Sequence, residues 1–184
     1  MQSNLEFQTD RLILRALRNE DAEALRHAIC SSAESIGPWL DWCHEGFDEM
    51  DAQAWINRSR QGWITSSSYE LVAFEQDTNA LVGCVYISSI DRVANMANLG
   101  YWIAQDYQGQ QYAVEATEVA ATIAFGHLLL TRLELVMDPK NSASIRIAEK
   151  LGATFECRAR NRYMYDGEAR EGLVYSLIPA DIGF

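Results

Sequence analysis

The loop Gln108-Gly109-Gln110-Gln111-Tyr112-Ala113 is the stretch of this chain best suited to hold an anion. An apolar, aromatic-rich run stops at that loop, and an alanine-rich helical pattern starts at Tyr112. The first turn of a helix carries N–H groups with no acceptor inside the helix, and the helix dipole adds positive potential at the same end. Several consecutive amides arriving there suit a pyrophosphate. Taken alone, a glycine-containing loop between a strand and a helix is more often just a turn.

Other site chemistries are missing from the sequence. It has no Gly-x-x-x-x-Gly-Lys-Ser/Thr, which sets aside P-loop nucleotide hydrolysis. His27, His44 and His127 lack metal-ligand spacing to one another or to the cysteines, so no metal site is expected. There is no Gly-x-Ser-x-Gly elbow, and no cysteine has a histidine partner suggested by the sequence, which argues against covalent hydrolase chemistry.

The elements that must position the loop follow from periodicity. Residues 11 to 17 alternate charged and apolar and read as a strand, after which Asn19 is expected to cap a helix to about Cys30. Ser31 to Phe47 reads as a loop holding Trp39, Trp42, Asp41, His44 and Glu45. Its aromatics either line a cleft or plug one end of the core. Asp48 caps a helix to about Gly62. Tyr69 to Glu75 and Leu81 to Ser89 form an antiparallel hairpin, and Ala97 to Ala104 makes it a three-strand meander. The helix from Tyr112 to His127 places Glu115, Glu118 and Thr122 opposite Ala116, Val119, Ala120, Ile123 and Ala124, as for a helix lying on a sheet. Because this helix is the crossover to the strand Arg132 to Met137, the two strands it joins should pair in parallel. Asn141 then caps a short helix ended by Gly152, and Asp166-Gly167 turns a final hairpin of about 154–165 and 168–178.

A chain of 184 residues suits one domain, residues 1–184, able to bury on the order of 70% of its unfolded surface. Its net charge of −11 disfavours nucleic acid and anionic membrane and would draw in a cationic amine. Cys30, Cys43, Cys84 and Cys157 are far apart and read as reduced thiols. With no signal-peptide pattern and no apolar run long enough to span a bilayer, the expected location is the cytoplasm.

Several motifs in register resemble one family. The run Gln108-x-x-Gln111-x-Ala113 resembles the acetyl-CoA-binding motif of the GCN5-related N-acetyltransferase (GNAT) superfamily, Gln/Arg-x-x-Gly-x-Gly/Ala. The RimJ/RimL-type ribosomal-protein N-terminal acetyltransferases are resembled in Thr9-Asp10-Arg11-Leu12-x-Leu14-Arg15, Pro38-Trp39-Leu40-x-Trp42 and Gly100-Tyr101-Trp102-Ile103. Tyr107-Gln108-Gly109, Glu115-Ala116, Asp138-Pro139-Lys140-Asn141-x-x-Ser144 and Glu149-Lys150-Leu151-Gly152 continue the likeness, which spans nearly the whole chain. It implies an α/β fold with a mixed sheet of about seven strands, mostly antiparallel with one parallel pair, flanked by about four helices. Acetyl-CoA is the implied co-substrate, the acceptor a primary amine such as a ribosomal protein's N-terminus, and the assembly a homodimer.

The same resemblance implies residue roles. Backbone groups of Tyr101, Trp102 and Ile103 would pair with the pantetheine arm, and Gln108, Gly109, Gln110, Gln111, Tyr112 and Ala113 would hold the pyrophosphate. Asn141 would hydrogen-bond the pantetheine while also capping its helix, and Ser144 would sit near the sulfur to protonate or hydrogen-bond the leaving thiolate. The family glycine is here Gln111, harmless at negative φ and strained at positive φ. The strand position that holds a glutamate base in many members is here Asn98, leaving Asp41, His44, Glu45, Tyr163 or a water relay. Glu115 is read as holding the loop and favouring the helix dipole. Arg158, Arg160 and Arg162 at period two form a stripe that is either solvated or meets an acidic partner. Two other readings remain: a small-amine acetyltransferase acting on a polyamine, amino acid or aminoglycoside, and a non-catalytic acyl-CoA sensor.

Overall fold

The computed structural model describes residues 5–184. In chain order the elements are β1 (Glu6–Gln8), β2 (Leu12–Arg15), a 3-10 turn at Asn19–Asp21, α1 (Ala22–Ser31), α2 (Ala33–Ile36) and α3 (Glu49–Thr65). They continue as β3 (Tyr69–Glu75), β4 (Leu81–Asp91), β5 (Met96–Ile103), α4 (Tyr112–Thr122), β6 (Arg132–Met137), α5 (Ser142–Lys150), β7 (Thr154–Tyr165) and β8 (Glu168–Leu177). The strands form one eight-stranded sheet in the order β1-β2-β3-β4-β5-β6-β8-β7. Every neighbouring pair is antiparallel except β5 and β6, which the α4 crossover obliges to run parallel.

The expected seven strands become eight because β1 is only three residues long, too short to show alternation, and pairs with β2 at the sheet edge. The expected Asn19 cap is replaced by Asp21. Its carboxylate accepts the Arg18 amide at 2.7 Å and the two Arg15 Nη atoms at 2.7 and 2.8 Å, and the first α-helix starts two residues late, behind a 3-10 turn. The tryptophan-rich loop contains the single-turn α2, and α4 stops at Thr122, where a π turn over Ile123–His127 takes over. Asp48 and Asn141 cap α3 and α5 as expected, each accepting the amide three residues on.

Side-chain alternation gives the sheet two different faces. Leu71, Val85, Ile87, Leu99, Leu133, Leu135 and Leu177 face α4 and α5 and join Ala116, Ala120 and Ala124 in the larger core. Val72, Phe74, Cys84 and Trp102 face α1 and α3 in a smaller core that includes Leu25, Ile29, Trp55 and Ile56. The four cysteines are free thiols. Among the described residues no helix is long and apolar enough to cross a membrane.

Candidate active site

The parallel pair comes apart. Pairing between β5 and β6 is confined to Met96↔Arg132, Ala97↔Leu133 and Asn98↔Glu134, whereas β5 stays paired to β4 as far as Ile103. The Ala104 amide donates to Val82 on the β4 side at 2.8 Å. Alternation therefore aims the peptides of Trp102 and Gly100 at β4, and those of Tyr101 and Ile103, beyond the last β5–β6 pair, into the gap that opens towards β6. An interior strand thus presents a row of peptide groups unclaimed by β6. That row suits an amide-bearing pantetheine arm at Tyr101 and Ile103, whereas the peptide of Trp102, expected to join them, is taken up by β4.

At the far end of β5 the loop arrives at α4. The Gln108 side chain donates to the Ile103 carbonyl at 3.0 Å and to Ser35 Oγ at 3.2 Å, and the Gln110 side chain donates to the Asp106 carbonyl at 3.0 Å. Gly109 has φ +77° with open space around it, so it is needed for its backbone angle. Gln111 stands directly before α4 with φ +69°, the left-handed conformation in which a non-glycine residue is strained by roughly 1–2 kcal/mol. The first bond of the helix runs from the Glu115 amide to the Gln111 carbonyl, leaving the amides of Tyr112, Ala113 and Val114 at the open end.

A clamp from the start of the chain fixes this strained loop. Arg11 donates from Nη1 to the Gln110 carbonyl at 3.0 Å, from Nε and Nη2 to Glu115 Oε2 at 2.8 and 2.5 Å, and lies 4.2 Å above the Tyr112 ring. The Thr9 hydroxyl also donates to Glu115, and the Tyr112 hydroxyl to Glu75. Partial burial would raise the Glu115 pKa, but the hydrogen bonds from Thr9 and Arg11 outweigh it and hold the carboxyl below its ordinary value. Sequence reasoning had the Thr9–Arg15 segment only as part of a likeness; the clamp itself joins residues 104 apart.

Across the gap, Asn141 Oδ1 accepts the Ser144 amide at 3.0 Å, and the Tyr101 hydroxyl crosses to the Ser144 carbonyl at 3.1 Å. Both bonds of Ser144 are made by its backbone, so its hydroxyl stays uncommitted among the described residues, half-buried at the first turn of α5. Tyr101 is kept a neutral phenol, chiefly by burial.

The opposite face of the gap is walled by the β7–β8 hairpin and the tryptophan loop. The Tyr165 hydroxyl donates to the Gly37 carbonyl at 2.8 Å, and the Asp166 amide to Asp41 Oδ2 at 3.4 Å. Trp42 packs edge-on against Trp55 and Trp102, with ring centres 4.6 and 5.8 Å apart, so it plugs the smaller core while remaining half-exposed. The Tyr163 hydroxyl donates to Asp138 Oδ2 at 2.7 Å; burial and that carboxylate push its pKa up to about 12, so at neutral pH it is a hydrogen-bond donor and not a base. Glu45 is exposed, and its contact with the body of the chain is its carbonyl, which accepts the Cys30 thiol.

The arginine stripe does not survive as one face. A bulge between Ala159 and Tyr163, with Asn161 at φ +49°, sets Arg160, Asn161 and Arg162 opposite the single residue Glu171. Arg158 pairs with Glu171 and Arg162 with Glu134, which leaves Arg160 without an ion pair among the described residues. Two acids escaped sequence reading. Glu134 lies beside Asn98 in the parallel register and is bonded to Arg132 and Arg162 at 2.8 and 2.6 Å. Glu70 accepts Trp55 Nε1 at 2.7 Å, and burial holds its carboxyl above the ordinary range. Both sit in strand runs whose alternation signals only which face they occupy.

A sheet split at its parallel pair, with an amide-rich helix start at one end of the split, is a site shaped for an extended carrier that ends in phosphate. The sequence profile of the acetyltransferase (GNAT) domain matches residues 11–154, and the chain belongs to that family. It is therefore an acetyl-CoA-dependent acyltransferase. A solved structure of a candidate ribosomal-protein-serine acetyltransferase from Vibrio cholerae is 38% identical, covers 97% of this chain and 100% of its own, and superimposes with a TM-score of 0.88. The candidate ribosomal N-acetyltransferase YdaF of Bacillus subtilis (strain 168) is 25% identical over 172 residues, 92% of each chain. The spermidine N(1)-acetyltransferase of Escherichia coli (strain K12) is 25% identical over 168 residues, 87% of this chain and 82% of its own.

Proposed function

We propose that the protein acetylates the N-terminal α-amino group of a ribosomal protein, in the cytoplasm. The observation that carries this reading is the acceptor side of the gap. Asn98 stands where a base would be, and the nearest carboxylate by register, Glu134, has both oxygens held by guanidiniums, Oε1 by Arg132 and Oε2 by Arg162. A lysine side chain, with an ordinary pKa near 10.4, would need such a base; an α-amine, with an ordinary pKa near 8, is already partly neutral at cellular pH. The near full-length likeness to the Vibrio cholerae protein supports the same choice.

When bound, acetyl-CoA supplies an activated acetyl thioester. In this reading the peptides of Tyr101 and Ile103 hold its arm, and Asn141 adds a side-chain contact. The amides of Gly109 to Ala113 hold the pyrophosphate. Ser144 Oγ donates to the sulfur as the thiolate leaves. Trp42 and the hairpin residues Tyr163 and Tyr165 exclude water from the acceptor side, and the amine proton passes to solvent.

Thiol release from acetyl-CoA, followed against N-terminal peptides of ribosomal proteins and against polyamines, tests the assignment. Turnover confined to peptides with a free α-amine is expected. Preferential turnover of spermidine would favour the second reading, a small-amine acetyltransferase, which the net charge of −11 and the spermidine acetyltransferase relative support.

A further inference from the structure

The acceptor side of the gap contains a hydroxyl that none of the roles above uses. Tyr86 on β4 is the register partner of Gly100 on β5, and its ring lies over that glycine. A Cβ built on Gly100 would stand 2.1 Å from Tyr86 Cε2, 2.2 Å from Cζ and 2.5 Å from the hydroxyl oxygen. Gly100 has no side chain because Tyr86 occupies its place, and the end of the ring that does so is the hydroxyl end.

The consequence is positional. Gly100 lies two residues beyond the last β5–β6 pair, directly before Tyr101, whose peptide faces the gap. The phenol that leans across it therefore ends at the mouth of the gap. It does so on the face shared with Cys84, Trp102 and Asn98, opposite the face from which Tyr101 reaches Ser144. The Tyr86 hydroxyl has no hydrogen-bond partner among the described residues, yet it is absent from their buried unpaired atoms, Ser59 Oγ and Trp102 Nε1, so it opens into accessible space. The Tyr86 phenol is kept neutral, chiefly by burial, with Cys84 and Glu70 adding to the effect.

We propose that the Tyr86 hydroxyl is the contact that aims the acceptor amine: its oxygen accepts one N–H of the attacking nitrogen, leaving the nitrogen lone pair directed into the gap. The new C–N bond forms there as the C–S bond breaks, the electron pair leaves on sulfur, and the amine proton goes to solvent; Tyr86 keeps its own proton throughout. The assignment rests on the acetyltransferase reading but not on which amine is the acceptor.

Tyr86→Phe keeps the ring over Gly100 and removes only the oxygen. With an accepted amine, the variant should lose about 10- to 100-fold in kcat/KM for that amine, the worth of one hydrogen bond to a polar or charged group, while the KM for acetyl-CoA and the Tm stay unchanged. A second measurement needs no acceptor. Coenzyme A carrying S–CH2–CO–NH–CH3 is compared in binding with the ester S–CH2–CO–O–CH3, which lacks the N–H. The wild type should prefer the amide, and Tyr86→Phe should bind the two alike. An amide preference that persists in the variant, no preference in the wild type, or equal losses of coenzyme A affinity and Tm would overturn the proposal. If no peptide or polyamine turns over, the acceptor reading fails, and the amide-to-ester ratio still decides Tyr86.

Discussion

Ser144 and Gln111 show how far a single residue can be judged from its bonds. Ser144 contributes only its amide and carbonyl to the scaffold, to Asn141 and Tyr101 respectively. Ser144→Ala should therefore leave Tm and acetyl-CoA affinity unchanged while lowering kcat by about 10- to 100-fold through the lost proton donor. Equal loss of affinity would mean a scaffold role instead. At Gln111 the sequence left two outcomes open, and the φ of +69° selects the strained one. Gln111→Gly relieves roughly 1–2 kcal/mol of left-handed strain against roughly 0.5–1 kcal/mol of added chain entropy, a net gain of about 1 kcal/mol. For a domain of this size, calorimetry should record a Tm about 2–4 °C higher; a lower Tm would show that the Gln111 side chain contributes contacts of its own. The anion loop was legible because it is local: six neighbouring residues and a helix start suffice. Tyr86 over Gly100 was not, because nothing in either strand run states their register.

Elements join where the Arg11 clamp ties β2 to the cofactor loop and to α4. Arg11→Ala removes the hold on the Gln110 carbonyl and leaves Glu115 half-buried without its cation. The KM for acetyl-CoA should rise about tenfold or more with a smaller change in kcat, because the lost interaction positions the loop and touches no reacting atom. The pH dependence follows from the sign of the Glu115 shift. Its folded pKa lies below the ordinary carboxylate value, so the clamp's contribution is complete above about 4.3 and is lost as pH falls through the lower, folded value. Acetyl-CoA binding followed by calorimetry from pH 7 down towards pH 3 should hold above about 4.3 and weaken below it in the wild type, and Glu115→Gln should be weaker throughout with a flatter profile. Sequence periodicity recovered α3, α4, α5 and the two hairpins, because caps and turn residues lie inside those segments. It missed β1, too short for alternation, and the β7 bulge, where Asn161 adopts a positive φ usually reserved for glycine. The arginine stripe failed for that second reason: period two holds only while the strand stays regular.

At the scale of the whole molecule, the eight-stranded sheet is two antiparallel blocks joined by one short parallel seam of three residue pairs. The order of elements was readable from the chain, including the parallel crossover, since a helix between two strands permits little else. The extent of the seam was not, because where two strands separate depends on the helices packed against each block. The seam also decides how the two faces divide the work, with α4, α5 and the loop on one side and the tryptophan loop and β7–β8 hairpin on the other.

The uncapped row of peptides along β5 has a further consequence, in isotope kinetics. Amides of an interior strand normally exchange with deuterium only through large-scale opening, yet those of Tyr101 and Ile103 face a gap and not a neighbour strand. In the free protein they should exchange far faster than the β4-facing amides of Gly100 and Trp102, giving an every-other-residue pattern within one strand. Addition of coenzyme A should slow the fast set to match the slow one, and a uniform rate along β5 before addition would show that the gap closes on itself when empty.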